Sequence, residues 1–438
     1  MKFFTVSLAT TRYLHFLLPL VLLGAAFGQH IEAFPFNGSN GEHPIGALTV
    51  DSAGNFYGAT LAGGIVYGCL SSAGCGVIFE ITPPAEPGGK WVGTTLHKFT
   101  GPPDGFAPNG NLVVDAAGNV YGTTSEGGTG CNEGGCGTVF ELSPPAEPGG
   151  DWSETVLLNF GPSATGGAPM AGLIADGFGN LYGTASVGGT YGFGAVFELS
   201  PPTSLGGSWT ETVLYNFGTA SEDGTLPEAP LISDSYGNLY GTTLAGGGGS
   251  ETGTVFELSP AAPPPLSSGT WSETKLHAFG NFAKDGQEPR AGLVLTPGGL
   301  LLGTTAEGGK YGDGVVFVLF PPSTLFGSWA YTVGYDFGAT PGDGIAPYAG
   351  LTLQAGENPV LYGTTTAGGA SGDGTVYQLT PPSSPGDPLN ESVIYSFTES
   401  YGDGGYPAGN LILQGPALYG TSESGGYSFA GTAFRLSH

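Results

Sequence analysis

Positive charge is scarce in this sequence. Nine Lys and Arg stand against 36 Asp and Glu, a formal net charge of −27 at pH 7. A surface this acidic repels phosphate backbones, which makes nucleic acid a poor partner. Charge of either sign is also low, at 10% of residues, while aromatics make up 12%. An acidic disordered chain would show many charges and few aromatics. Histidine is rare, with six in the whole chain. No Gly-x-Ser-x-Gly elbow, His-Glu-x-x-His pair or P-loop Lys occurs. Ser272-Glu273-Thr274-Lys275 spells Ser-x-x-Lys, but it is one copy of a repeated Trp-Ser-Glu-Thr-Val. Beyond residue 28 no stretch reaches the ~18 apolar residues of a membrane span. Helix signals are missing too, because Gly recurs too often for a helix to survive.

What is present begins with a leader. Lys2 and Arg12 precede an apolar run from Leu14 to Phe27, and Ala26-Phe27-Gly28 supplies small residues for cleavage. That layout is a secretory signal peptide over residues 1–28, with the mature chain starting at Gln29. No Cys follows the apolar run, which argues against a lipoprotein anchor. The mature chain, 29–438, is expected to be a single exported domain, extracellular or periplasmic.

The 83 Gly and 35 Pro would suggest low complexity in a chain without a period. Here a period exists. Tyr-Gly recurs at Tyr57, Tyr121, Tyr182, Tyr240, Tyr362 and Tyr419, with Leu302 standing in for the fifth, at spacings of 57 to 64 residues. Around it most copies read Pro-x-x-Gly-Leu, Asp-x-x-Gly-Asn-Leu-Tyr-Gly-Thr-Thr, Gly-Gly-x-x-Gly-x-Gly-Thr-Val-Phe-Glu-Leu-x-Pro-Pro, then Trp-x-Glu-Thr-Val-Leu-Tyr-x-Phe. Each copy thus holds four short β-type runs, a to d, separated by turn residues. In the third copy these are 172–176, 180–185, 194–199 and 209–217. Asp176-Gly177-Phe178-Gly179-Asn180 has the composition of a tight a-to-b hairpin.

Runs a, b and c occur seven times, but an internal run d follows only six of them. The missing d lies at the mature N-terminus, where His30-Ile31-Glu32-Ala33-Phe34 matches Lys275-Leu276-His277-Ala278-Phe279. The expectation is an all-β, seven-bladed β-propeller of four-stranded blades, its ring closed by the N-terminal strand completing the last blade. The borrowed strand is then outermost and run a lines the channel. The d-to-a and b-to-c loops share one face, and the a-to-b and c-to-d connections share the other.

Candidate residues divide into the repeated and the variable. All five Trp (Trp91, Trp152, Trp209, Trp271, Trp329) start run d and read as inter-blade packing, with sugar stacking as the alternative. The Asp-Gly of the d-to-a loop recurs at Asp104, Asp223, Asp285, Asp343 and Asp403; copies one and three have Glu42 and Gly167 nearby instead. A turn-forming Asp is the plain reading, and a weak Ca²⁺ site, the sole cofactor considered, is the sharper one. Cys69, Cys75, Cys131 and Cys136 lie in two b-to-c loops. Two local disulfides are expected in an exported protein, rather than a four-Cys zinc site. Directly after the repeated Pro, the copies carry Ile45, Asn109, Met170, Glu228, Arg290, Tyr348 and Ala408. This position begins the innermost strand at the channel mouth. Glu228, Arg290 and Tyr348, in consecutive blades, with Asn109, are expected to line a small polar binding site; a merely solvated rim is the alternative.

The unit Gly-Asn-Leu-Tyr-Gly-Thr-Thr…Gly-Gly…Gly-Thr-Val-Phe-Glu-Leu resembles the GloVer tandem repeat of secreted bacterial proteins, called "choice-of-anchor" for their differing C-terminal sorting tails. The resemblance covers nearly all of residues 30–438 and brings no catalytic residues with it. The chain ends at His438 without a hydrophobic sorting tail, so release or periplasmic residence is expected rather than anchoring. Two function classes follow. One is a non-catalytic binding module, expected to be monomeric, that takes a glycan, peptide or partner protein at the channel mouth. The other is a propeller-type polysaccharide lyase or hydrolase acting from channel-facing residues. The missing catalytic constellation favours binding.

Overall fold

The hairpin between runs a and b shows how the repeat writes its own structure. Asp51 Oδ1 accepts the N–H groups of Ala53 and Asn55 at 2.8 and 2.9 Å, while Oδ2 accepts the Asn55 side-chain amide and the Tyr57 hydroxyl. Asp115, Asp176 and Asp234 repeat this network in the next three copies. One Asp therefore ties the turn to the Asn and Tyr that follow it, and the intervening Gly54 supplies φ +89°.

The computed structural model describes residues 30–437, apart from 67–68, 70–71, 87–88, 132–134, 148, 162–165, 205, 249–251, 262–269, 325–326, 383, 385–386 and 401. The expected signal peptide, 1–28, lies outside the described residues. No helix occurs among them. Seven four-stranded antiparallel sheets make up the blades, each in the order a-b-c-d. Blade 3 consists of Ile174–Ala175, Leu181–Ala185, Ala195–Ser200 and Thr210–Asn216, within the runs read from the sequence to a residue or two. In the last blade the N-terminal strand His30–Pro35 pairs with Thr432–Ser437, outermost in its sheet. The ring is closed as expected.

The register of closure differs from the sequence alignment by two residues. Phe34 faces Ala433 where, in blade 4, His277 faces Val255, and Phe36, not Phe34, takes the place of Phe279. Phe36 N–H donates to Gly431 O at 3.0 Å, as Phe279 N–H does to Gly253 O. At Phe34 and Phe36 the slip of two leaves the side chains on their original face, so hydrophobic alternation could not detect it there. Before them the offset is three, with Ala33 facing Phe434 where Lys275 faces Phe256. Strand d of blades 1 to 6 carries a bulge that the closing strand lacks. Without it, Glu32 lies opposite Arg435, at 3.5 Å.

Packing between blades is repeated as strictly as the sequence. The Phe ending strand d meets the central aromatic of strand c in the next blade edge to face: Phe99 with Phe140, Phe160 with Phe197, and across the closure Phe36 with Phe79, at centroid distances of 5.2, 5.3 and 4.9 Å. The Trp residues also sit between blades, as Trp91 does on Tyr419 and Trp329 on Tyr240. Near the axis, the first Thr after Tyr-Gly donates to the neighbouring blade, as from Thr304 to Ala349 O and from Thr421 to Gly46 O, both at 2.9 Å. Two disulfides, Cys69–Cys75 and Cys131–Cys136, close their loops with Cα separations of 5.4 and 5.5 Å. Among the described residues no helix is long and apolar enough to cross a membrane.

Candidate functional site

The d-to-a loops deliver the chain to the channel in a repeated way. In all seven copies the residue before the Pro adopts a left-handed conformation without being Gly: His43, Ala107, Ala168, Leu226, Glu288, Ala346 and Tyr406, with φ between 47° and 57°. Each such residue costs on the order of 1–2 kcal/mol, and the ring holds seven. The b-to-c loop of the same copy pairs with this segment, as Gly224 does with Gly246, so both loop sets share one face as expected.

Immediately after the Pro, the seven variable residues converge. Ile45, Asn109, Met170, Glu228, Arg290, Tyr348 and Ala408 all border one cavity of about 190 Å³ on the ring axis. Glycines set its width. A Cβ on Gly46 would lie 2.6 Å from Gly110 O, and one on Gly350 would lie 2.8 Å from Gly292 O. Strand a therefore lines the axis, backbone against backbone.

Within the cavity, blades 4, 5 and 6 form a connected group. Arg290 Nη2 donates to Glu288 Oε2 at 2.9 Å, and Nη1 lies 3.9 Å from Glu228 Oε2. The guanidinium carbon sits 5.2 Å from the centroid of the Tyr348 ring, a cation–π arrangement. Arg290 Nε is buried with no acceptor. Burial pushes the Glu228 carboxyl above its ordinary range, and Glu288 adds to this while Arg290 opposes it. Tyr348 remains 41% exposed. Asn109 borders the cavity from blade 2, its Oδ1 turned back onto Gly110 N–H at 2.7 Å. Sequence reasoning missed Glu288. Its signal was a charged residue at the position before the Pro, where three sister copies have Ala.

The five Asp-Gly carboxylates do not gather. Each lies in its own loop, with Oδ1 accepting the following Gly N–H at 2.7–2.9 Å. The other acceptor positions serve strand d and the loop start. Tyr215 donates to Asp223, Tyr335 to Asp343 and Tyr395 to Asp403, while His97 contacts Asp104 and His277 contacts Asp285. Ca²⁺ takes six to eight oxygens. A single carboxylate ringed by N–H and O–H donors offers far fewer, so the geometry of Asp223, Asp285, Asp343 and Asp403 fits the turn-forming reading. In copy one the position belongs to Asn40 rather than Glu42, since Asn40 Oδ1 accepts Asn37 N–H at 2.8 Å.

A larger cavity, about 400 Å³ and mostly apolar, opens between blades 5 and 6 on the opposite face. It arises where Leu389 stands in the Trp position and Leu302 in the Tyr position. It lacks the converging polar groups that orient a ligand, whereas the smaller channel mouth has them.

The sequence model of the Gloeobacter/Verrucomicrobia repeat matches residues 25–256, 132–358 and 295–438. The chain belongs to this repeat family. No curated protein matches it in sequence. Among solved structures, an ulvan lyase of polysaccharide lyase family 25 superposes with a TM-score of 0.52 at 11% identity, covering 91% of this chain and 94% of that one. The same kind of lyase bound to a GlcA–Rha3S saccharide gives 0.51 at 10% identity, with 91% and 94% covered. The phage phi92 endosialidase gives 0.47 at 11% identity, over 94% of this chain and 69% of that one. At such identities the likeness to the lyase shows the propeller fold alone.

Proposed function

We propose that this repeat-family propeller is an exported binding module that takes a neutral saccharide at the channel mouth without turning it over. The observation that carries the reading is the Arg290 group. A guanidinium held by two carboxylates stands over an exposed aromatic ring, at the axial position directly after the repeated Pro where all seven copies differ. A sugar ring offers apolar C–H faces for Tyr348 and hydroxyls that both donate and accept. Glu228 and Glu288 supply acceptors, and the under-satisfied guanidinium supplies donors. A cavity of about 190 Å³ suits one or two sugar units rather than a folded partner.

Charge favours a neutral ligand over a polyanion. The site carries two carboxylates against one guanidinium, on a chain of net charge −27. Such a field disfavours uronate or sulfated chains. Export is supported by the two disulfides, which persist in oxidising compartments, and by the leader read from the sequence.

A thermal-shift screen of the purified protein against neutral, uronic and sulfated oligosaccharides tests the reading. A ligand bound only by the native state raises Tm by mass action. A neutral saccharide should raise Tm, and Arg290→Ala should abolish the rise. Cleavage of any shifted saccharide would overturn the non-catalytic part and make the protein a lyase or hydrolase. A rise that survives in Arg290→Ala would place the site elsewhere.

A further inference from the structure

We infer that His97, Asp104 and Glu154 form a site for a divalent transition metal of the zinc class, bridging blades 1 and 2. The inference is independent of the channel mouth, since these residues lie in the outer strands and their loop. His97 belongs to strand Val92–Lys98 of blade 1, Glu154 to strand Ser153–Asn159 of blade 2, and Asp104 to the loop entering blade 2.

Their ligand atoms all lie within 4.8 Å of one another. His97 Nε2 stands 3.4 Å from Asp104 Oδ2, with side chains 20% and 14% exposed. Zinc ligands at about 2.0–2.2 Å from the metal sit roughly 3.5 Å apart in a tetrahedron, so small side-chain movements would close the site. Glu154 Oε1 is buried and has no hydrogen-bond partner; the equivalent Glu211 and Glu391 oxygens in blades 3 and 6 are unpartnered too, but there no imidazole completes a ligand set. A cation would supply that partner, and one dication balances two carboxylates beside a neutral imidazole.

The sister blades serve as internal controls. Where blade 1 has His97, blades 3, 5 and 6 have Tyr215, Tyr335 and Tyr395, each donating its hydroxyl to the loop Asp at 3.0–3.1 Å. A hydroxyl donor satisfies a carboxylate but makes a poor ligand for a transition metal, whereas an imidazole nitrogen is a good one. Blade 4 also has a His, but there Tyr331 replaces the Glu, and the two rings stack at 3.8 Å. His43 also meets two carboxylates, Glu42 and Glu423, but from opposite ring nitrogens at 3.7 and 3.8 Å. Among the described residues only His97, Asp104 and Glu154 bring three ligand atoms within 4.8 Å of one another. One nitrogen and two carboxylate oxygens is a zinc-type set rather than the all-oxygen cage of Ca²⁺. Thr100 N–H and Oγ1 hold Asp104 Oδ2 at 2.9 and 3.0 Å and would orient it as outer-shell partners. The metal would replace the long His97–Asp104 contact and staple two blades.

The test is calorimetric titration of the chelator-treated protein with ZnCl₂, with Co²⁺ absorption as a spectroscopic readout. One equivalent should bind and raise Tm, and Co²⁺ should give a visible band of mixed nitrogen and oxygen ligation. His97→Tyr installs the side chain that three sister blades carry, so the fold should persist while the bound equivalent disappears. Glu154→Gln should weaken binding at least tenfold, and it provides the same reading if His97→Tyr fails to fold. No binding by the parent protein would overturn the inference. So would an equivalent bound with unchanged affinity by the variants.

Discussion

A methyl group added at Gly183 would place a carbon 2.6 Å from Phe197 Cζ and 2.9 Å from Leu173 Cδ2. The Gly of Tyr-Gly is the floor on which the strand-c aromatic lies, and the same collision recurs at Gly58, Gly122 and Gly241. Gly183→Ala should therefore destabilise the protein by about 1–3 kcal/mol through overpacking, read as a lower urea midpoint at unchanged m-value. A second prediction at this scale concerns buried carboxyls of strand d. Burial pushes Glu211, Glu273 and Glu391 from an ordinary 4.5 up to about 7, with Asp223 adding to the rise at Glu273 and Asp343 at Glu391. A raised folded-state pKa stabilises the protonated form. The contribution is fully present below about pH 4.5 and is lost as pH rises through about 7. Asp51 and Asp104 work the other way: hydrogen bonds to Asp51, and His97 with Thr100 at Asp104, outweigh burial and hold both below 3.8. Their contribution is lost only in stronger acid. The urea midpoint should rise on going from about pH 8 to about pH 5 and fall again below about pH 3.8. Glu211→Gln should flatten the rise. A midpoint that falls steadily from neutral pH into acid would contradict this. The Tyr-Gly marker was legible as a repeat, but its reason was not, because Phe197 and Leu173 reach Gly183 from two other strands.

At the scale of elements, the closing strand is the part on which the ring most depends. Phe36 is fully buried in the cluster joining blade 7 to blade 1, against Phe79 and Leu48. Phe36→Ala should cost about 3–5 kcal/mol, as large-to-small changes at buried aromatics do, and thermal unfolding measures it. Ala33, half-buried in the same strand, should tolerate substitution by Ser with far less loss. The existence of this latch was legible from counting strands, since six internal runs d cannot complete seven blades. Its register was not, because the slip is two at Phe34 and Phe36, where the in-and-out pattern survives, and the six bulged sister strands were the wrong template for the residues before them. The position of the Trp residues between blades followed from their common phase. The cavity opened by Leu302 and Leu389 did not, since the two substitutions lie in different copies and meet only once the blades pack.

For the whole molecule, repetition is what made the sequence readable. Seven copies state the scaffold redundantly, so the fold, the loop-bearing face and the axial position of strand a all followed from periodicity. The same redundancy exposed Glu228, Arg290 and Tyr348 as departures, and the ring brings them into one cavity. Glu288 escaped notice because it lies outside the strand, at a backbone position whose left-handed conformation only the structure reveals. Ligand chemistry is less legible still, since it depends on distances across blades rather than on any run of residues. The measurement that tests the central claim most directly is calorimetric titration of a neutral oligosaccharide into the parent protein and into Tyr348→Ala. Tyr348 is exposed at the mouth, so its removal should leave the unfolding free energy from urea titration within about 0.5 kcal/mol. The account predicts that it weakens saccharide binding at least tenfold. Equal affinity in the two proteins would contradict the claim that the channel mouth is the binding site.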